Sequence, residues 1–417
     1  MTSQVKADRR YSAYAMMVCP FFFAIYTYPQ QPIFYELFSA NERLIFSLIT
    51  FAFLVVFIST ESGLSKVSKS FLRFILCLTA LCSLIYFNNN NLTTFRDGLV
   101  VAMLAAVAWA KRPLFFLVYR NMYLYFALWL GLTLIIVFIL NIQGVNPAFY
   151  ETHWLRLDPE NSIEKRDDWD YAIVFGFITW VKNIDSLFRQ PLLFTEPTYF
   201  GYYTIPLFFS ALMVERGTLR ALIAATFLTG IVLSASTIGL ITLAIVPLLG
   251  WLLCRPPLRE RSGLGLFALI MIPLASIFLT PEVLIRVISV LPGDKLAEFE
   301  YFLSRGAFFA NGFSFSIFGV PEANEVVTYG VEVVAIRYGW VGVFAFIGSL
   351  AYLLRAALKI LAVDSLGCSR KICGFSAIAS GVFLSFKAPS LVSFPAILAA
   401  VYVTFYTRTK TGRFISI

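Results

Sequence analysis

Phe194-Thr195-Glu196-Pro197-Thr198-Tyr199-Phe200-Gly201 closes a polar stretch, Gln143–Pro197, and runs without a break into an apolar span. The polar stretch carries fourteen charged side chains and the only histidine of the chain, His153. Around it the composition is that of a membrane anchor. The 417 residues are 59% hydrophobic and 14% charged, with 43 Phe and 20 Tyr, against roughly 25% charged residues in soluble domains. A soluble core cannot absorb that much apolar side chain. The pattern predicts an all-α polytopic membrane protein, a single integral-membrane domain over residues 1–417.

Twelve spans fit the hydropathy: Tyr11–Gln31, Leu44–Ser59, Phe71–Phe87, Gly98–Ala110, Met122–Ile142, Thr198–Val214, Leu219–Ala235, Ser236–Leu253, Gly263–Thr280, Val331–Leu354, Ile372–Phe386 and Leu391–Thr407. No small-residue cleavage site follows Phe21-Phe22-Phe23, so the first is expected to be retained as a membrane helix. The seventh and eighth are expected to meet in a tight turn at Ser234-Ala235-Ser236. Two outer loops are long: the first over 143–197, the second over 281–330.

Basic residues set the orientation. With the N-terminus in the cytoplasm, 20 of the 33 Lys and Arg residues fall in the inner segments, and every short inner loop is basic. Both termini are then cytoplasmic. The net charge of +9 is orientation charge rather than a nucleic-acid footprint. Of the six cysteines, Cys19, Cys77 and Cys82 fall in spans, and Cys254, Cys368 and Cys373 fall on the inner side. That distribution offers neither a disulfide framework nor a metal-ligand spacing; all six read as plain thiols.

The two long loops are where chemistry is expected. The first holds five basic and nine acidic residues, the second three and six, so both are net acidic. Within the first, Ala172–Val181 is too short to span and is expected to form an interfacial or re-entrant helix, or to pack against the spans. Pro197 disfavours helix at Glu196, so the next span should start just after it. Glu196 is then either a carboxylate that orients a sugar hydroxyl or takes its proton, or a helix cap. Tyr199, Tyr202 and Tyr203 are either faces of a cavity or an interfacial aromatic belt. An arginine here is either paired with a neighbouring carboxylate, as Arg305 with Glu298 or Glu300 and Arg337 with Glu332, or held for an anion, which its planar, always-charged fork suits. Arg305, flanked by Phe302-Leu303 and Ala307-Phe308-Phe309, is the leading candidate. Arg337, some six residues inside a predicted span, and Arg189, seven residues before Glu196, follow. Arg286 and Arg156 are weaker. His153, between Glu151 and Trp154 as far as charge and ring go, is a candidate base or an incidental loop residue.

Phe-x-Glu-Pro-x-x-x-Gly at the end of a large outer loop resembles the pattern of O-antigen and exopolysaccharide repeat-unit polymerases, the Wzy family. Leu233-Ser234-Ala235-Ser236-Thr237-Ile238-Gly239 is similar to that family's Leu-Ser-x-Ser-x-x-Gly helix start. Arg305 followed by Ile317-Phe318-Gly319, and the helix beginning at Tyr338-Gly339, resemble later family features. The chain departs from the Arg-x10-Gly motifs of some members: eleven residues separate Arg189 from Gly201 and thirteen separate Arg305 from Gly319. Thr198 stands where Ser is more usual.

The resemblance implies a GT-C-like fold, two large periplasmic loops, and a metal-independent glycosyltransferase with no cofactor in a bacterial inner membrane. A growing glycan on undecaprenyl diphosphate would be transferred to a new lipid-linked repeat unit at the periplasmic face. Glu196 and Arg305 would be catalytic, and Arg189, Arg337, Arg286, Tyr199 and His153 would bind substrate. Its partners would be the lipid-linked donor and acceptor, membrane lipids and a chain-length regulator, with no nucleic acid. Two readings compete: an O-antigen ligase, which transfers the same donor to lipid A core, and a polysaccharide flippase or transporter. The Glu-Pro phrase favours the polymerase over the ligase, and uncharged spans with polar loops argue against a transporter.

Overall fold

The computed structural model describes residues 112–143, 169–174, 178–183, 188–192, 197–234, 236–254, 330–385 and 394–411. Seven helices lie among them: α1 (Arg112–Ile142), α2 (Pro197–Val214), α3 (Gly217–Ser234), α4 (Thr237–Leu253), α5 (Gly330–Leu361), α6 (Cys368–Ser385) and α7 (Phe394–Thr411). They overlap the fifth to eighth and tenth to twelfth expected spans, with α1 beginning at Arg112, ten residues before the expected Met122. The other five spans lie outside the described residues, as does the second loop up to residue 329.

The described chain is overwhelmingly helical, and the exception falls in the first outer loop. Strands β1 (Trp169–Val174), β2 (Ile178–Asn183) and β3 (Phe188–Leu192) form an antiparallel meander in the order β1-β2-β3. β1 and β2 pair in unbroken register from Trp169↔Asn183 to Val174↔Ile178. In place of the interfacial helix expected at Ala172–Val181, the described residues of that stretch lie on two paired strands. The local reason is composition. Ile173, Val174, Ile178, Thr179 and Val181 are β-branched, and Gly176 interrupts the run where a helix would have to continue. Between Val181↔Arg189 and Thr179↔Leu192, β2 advances two residues and β3 three. The extra residue falls at Gln190-Pro191, where proline has no N–H to give to the ladder.

Helix directions follow from side-chain contacts at the glycines. A Cβ on Gly201, near the start of α2, would stand 3.4 Å from Gly239 Cα, near the start of α4. Those two helices therefore run the same way, and α3 returns between them. A Cβ on Gly374, early in α6, would meet Met213 at the end of α2 and Ile360 at the end of α5, and one on Gly381 would meet Ala396 early in α7. So α6 opposes α2, α5 and α7. The starts of α2, α4, α5 and α7 share one pole, which also receives β3, since only residues 193–196 separate it from α2. Arg216, Arg220, Arg355, Lys359, Arg370 and Lys371 all belong to the opposite pole.

α2 and α6 form the centre. Every residue from 200 to 211 is buried, as is every residue from 373 to 382. α2 packs on α6, α3, α7 and α4; α6 packs on α5, α4 and α7 as well. A helix apolar on all sides and enclosed by others tolerates Pro206, because neighbouring helices hold it where a lost backbone bond would otherwise weaken it.

The peripheral helices turn large apolar side chains outward: Leu128, Phe138 and Ile142 on α1, Leu222 on α3, Leu248 on α4 and Phe344 on α5 are all exposed. Three helical segments, Phe115–Leu140, Gly217–Ser234 and Gly339–Leu361, are long and apolar enough to cross a bilayer. Tyr199–Val214 and Ile238–Leu253 are apolar but shorter. Outward apolar side chains on spanning-length helices mark a membrane protein, with lipid as the solvent of the outer faces.

Candidate functional site at the Gly201–Gly239 contact

Pro197 is the first residue of α2, the position where a missing N–H costs nothing because that donor has no helical partner in any case. One turn later, Gly201 meets Gly239. Ser236 N-caps α4 from an extended backbone, its Oγ accepting from Gly239 N at 3.2 Å. A Cβ on Gly201 would also lie 3.9 Å from that Oγ, and one on Gly239 would press to 3.2 Å from it. The two starts lie side by side with little room for a long side chain at Gly201, and the Ser236 cap leaves little room for a Cβ at Gly239. α3 ends at Ser234 and Ser236 caps α4, which is where a tight turn is expected.

Two adjacent helix N-termini present backbone N–H groups and partial positive charge to the same pole. The C-terminus of α3 brings carbonyl groups alongside. That combination offers donors for an anionic or hydroxyl-rich ligand and acceptors for its hydroxyls.

The expected site residues distribute unevenly about this contact. Tyr199 is half-buried in the first turn of α2 and packs against the core. Tyr202 and Tyr203 are buried, with ring centroids 5.0 Å apart and planes 78° apart. They are core residues and not a lipid-surface belt, since neighbouring helices enclose α2. Arg189 lies on β3, opposite Val181 in the register, and β3 lies against α3 and α2. Glu196, Arg305, Arg286, Arg156 and His153 lie outside the described residues.

Arg337 lies on α5, within the span expected from Val331. α5 is two helices joined at Gly339, whose φ of 61° and ψ of −163° are non-helical. That region is essentially reserved for glycine. Arg337 belongs to the short helical segment ahead of that break. The Tyr338-Gly339 pair accordingly does mark the start of the long helix.

A polar cluster that sequence reasoning missed sits at the other pole. Arg120 on α1 grips Glu215, in the turn between α2 and α3, with Nε–Oε1 at 2.6 Å and Nη2–Oε2 at 3.1 Å. Tyr123 Oη donates to the same carboxylate at 2.5 Å and lies 3.2 Å from Tyr402 Oη on α7. Tyr119 Oη and Ser210 Oγ are 3.4 Å apart, and the Tyr119 ring centroid is 4.5 Å from that of Tyr402. Burial alone would push the Glu215 carboxyl up. The donated bonds from Arg120 and Tyr123 outweigh it and hold the group below the usual carboxylate range. Arg120, which charge counting alone would leave snorkelling, is instead one half of a forked ion pair. The available signal was an acid in a two-residue turn, Glu215-Arg216, ahead of a glycine with φ of 58°. Among the described residues the cluster ties α1, α2 and α7 together with both Glu215 oxygens engaged, so it is a clasp.

No family model, curated protein or solved structure matches the chain.

Proposed function

We propose that this chain is a repeat-unit polymerase of a bacterial inner membrane, transferring a glycan from undecaprenyl diphosphate to a new lipid-linked repeat unit. The observation that supports it best is the Gly201–Gly239 contact. Each glycine closes one of the two phrases that carry the resemblance, and nothing local obliges helices beginning at Pro197 and Thr237 to meet there. Residues set apart in sequence by separate motifs are in contact in space, as parts of one site should be.

In this reading the pole bearing the sheet faces the periplasm and the basic pole faces the cytoplasm, following the rule for Lys and Arg. A hydroxyl of the acceptor sugar attacks the anomeric carbon of the donor. The bond from that carbon to the diphosphate oxygen breaks, a glycosidic bond forms, and the lipid diphosphate leaves. Arg305, assisted by Arg189, Arg286 and Arg337, neutralises the departing diphosphate. Glu196 orients the acceptor hydroxyl or takes its proton. Tyr199 and His153 line the sugar path. A GT-C-like arrangement of about twelve spans, no metal and no cofactor, and a chain-length regulator as partner belong to the same proposal.

The deciding experiment is deletion of the gene in its native strain. Surface glycan reduced to one repeat unit on its acceptor supports the polymerase. Complete loss of surface glycan, with lipid-linked material retained, overturns it in favour of a ligase or a flippase.

A further inference from the structure

Cys254 caps the C-terminal end of α4, its N–H bonded to Gly250 O, and Cys368 is the first residue of α6. The two are 114 positions apart in the chain, yet their sulfurs lie 3.4 Å from each other. Cys368 is exposed and Cys254 half-buried, whereas Cys373, one turn further along α6, is buried. Burial among apolar neighbours, the ordinary role of a cysteine, therefore describes Cys373 and not the other two. The interface beneath the pair is close-packed: a Cβ on Gly250 would fall 2.9 Å from the Phe375 ring and 3.5 Å from Ile372. The helix ends that carry the sulfurs are thus held together by their own packing.

We propose that Cys254 and Cys368 form a thiol oxidation site that closes to a disulfide joining α4 to α6 when it meets a small anionic disulfide such as oxidised glutathione. A disulfide requires the sulfurs to approach to about 2.05 Å, a movement of ~1.4 Å from their present 3.4 Å separation. Side-chain rotation at an exposed position can supply it. One thiolate attacks the small disulfide, giving a mixed disulfide and releasing one glutathione. The second thiolate displaces the other. Two protein thiols are oxidised, one external disulfide is reduced to two thiols, and the two protons leave with them. Arg370 and Lys371, in the first turn of α6, give the approach a positive field suited to an anionic oxidant. With the basic pole in the cytoplasm, the resting state is the dithiol and the bond forms under oxidative load. The site does not depend on the glycosyl-transfer reading.

The full-length protein in detergent is incubated with oxidised glutathione, denatured and labelled with N-ethylmaleimide. Six cysteines take six labels before treatment; after it the intact mass should show two fewer, with dithiothreitol restoring them. Peptide mapping of the wild-type chain should place the bond between Cys254 and Cys368, a readout that does not require any variant to fold. Cys254→Ser and Cys368→Ser should each abolish the intramolecular bond. Six labels after oxidation, a bond between other cysteines, or glutathione held separately on both residues would overturn the proposal.

Discussion

Arg120 and Glu215 are 95 residues apart and share a forked ion pair, with one oxygen of the carboxylate also accepting from Tyr123. Glu215 is 7% exposed and Arg120 36%, so the pair lies between a surface bridge, worth at most about 1 kcal/mol, and a fully buried one, whose breakage costs roughly 3–5 kcal/mol. Glu215→Ala should destabilise the protein by about 2 kcal/mol, read as a fall in thermal midpoint in detergent. The double variant Arg120→Ala/Glu215→Ala should cost less than the sum of the singles, because each single leaves a charged partner behind.

The same carboxylate makes stability pH-dependent. Its folded-state pKa is lowered, with burial opposed and outweighed by bonds from Arg120 and Tyr123. The contribution is therefore fully present above the unfolded carboxylate value of about 4.3, and is lost as pH falls through the lower folded value. A thermal-midpoint series from pH 7 to pH 3 should show an acid limb that Glu215→Gln flattens. An unchanged limb would mean other carboxylates carry it.

At the helix starts, substitution size is the test. A Cβ at Gly201 would lie 3.4 Å from Gly239 Cα, close to ordinary contact, whereas one at Gly239 would lie 3.2 Å from Ser236 Cβ and Oγ. Gly201→Ala should retain most long-chain glycan. Gly201→Leu should lose it, since a longer side chain must part α2 from α4. Gly239→Ala should fall between, by crowding the cap. Glycan ladders on gels, at matched membrane levels of protein, report all three.

Gly339 holds a backbone conformation that a side chain resists. Gly339→Ala should cost on the order of 1–3 kcal/mol. If the short segment ahead of it instead straightens into the span, Arg337 is carried toward the membrane, and long-chain product should fall further than stability alone explains.

Glu196→Ala and Arg305→Ala should each abolish long chains at normal membrane levels. Arg305→Lys should recover only part of the activity, because a single ammonium does not reproduce the bidentate fork. Long chains persisting in both alanine variants would sink these assignments.

Much of the helical framework was legible from local signals. Pro197 announced the start of α2, Ser234-Ala235-Ser236 announced the turn into α4, and Tyr338-Gly339 announced the start of the long segment of α5. Each is a property of a few adjacent residues. The stretch Ala172–Val181 misled because ten apolar residues do not distinguish a short helix from two strands by hydropathy; the β-branched side chains and Gly176 carried the answer. Tyr202 and Tyr203 misled because hydropathy places a tyrosine near a membrane surface without saying whether other helices cover it.

The sequence by itself determined that this is a membrane chain, roughly where its described helices lie, and which end of them carries the basic residues. These follow from apolar runs, from proline and glycine, and from charge counted along the chain. Only the tertiary structure decided that Gly201 lies on Gly239, that Arg120 is held by Glu215, and that Cys254 and Cys368 touch. Those pairs lie 38, 95 and 114 residues apart. No helical or strand period extends over such distances, so contact at that range is set by how whole helices pack.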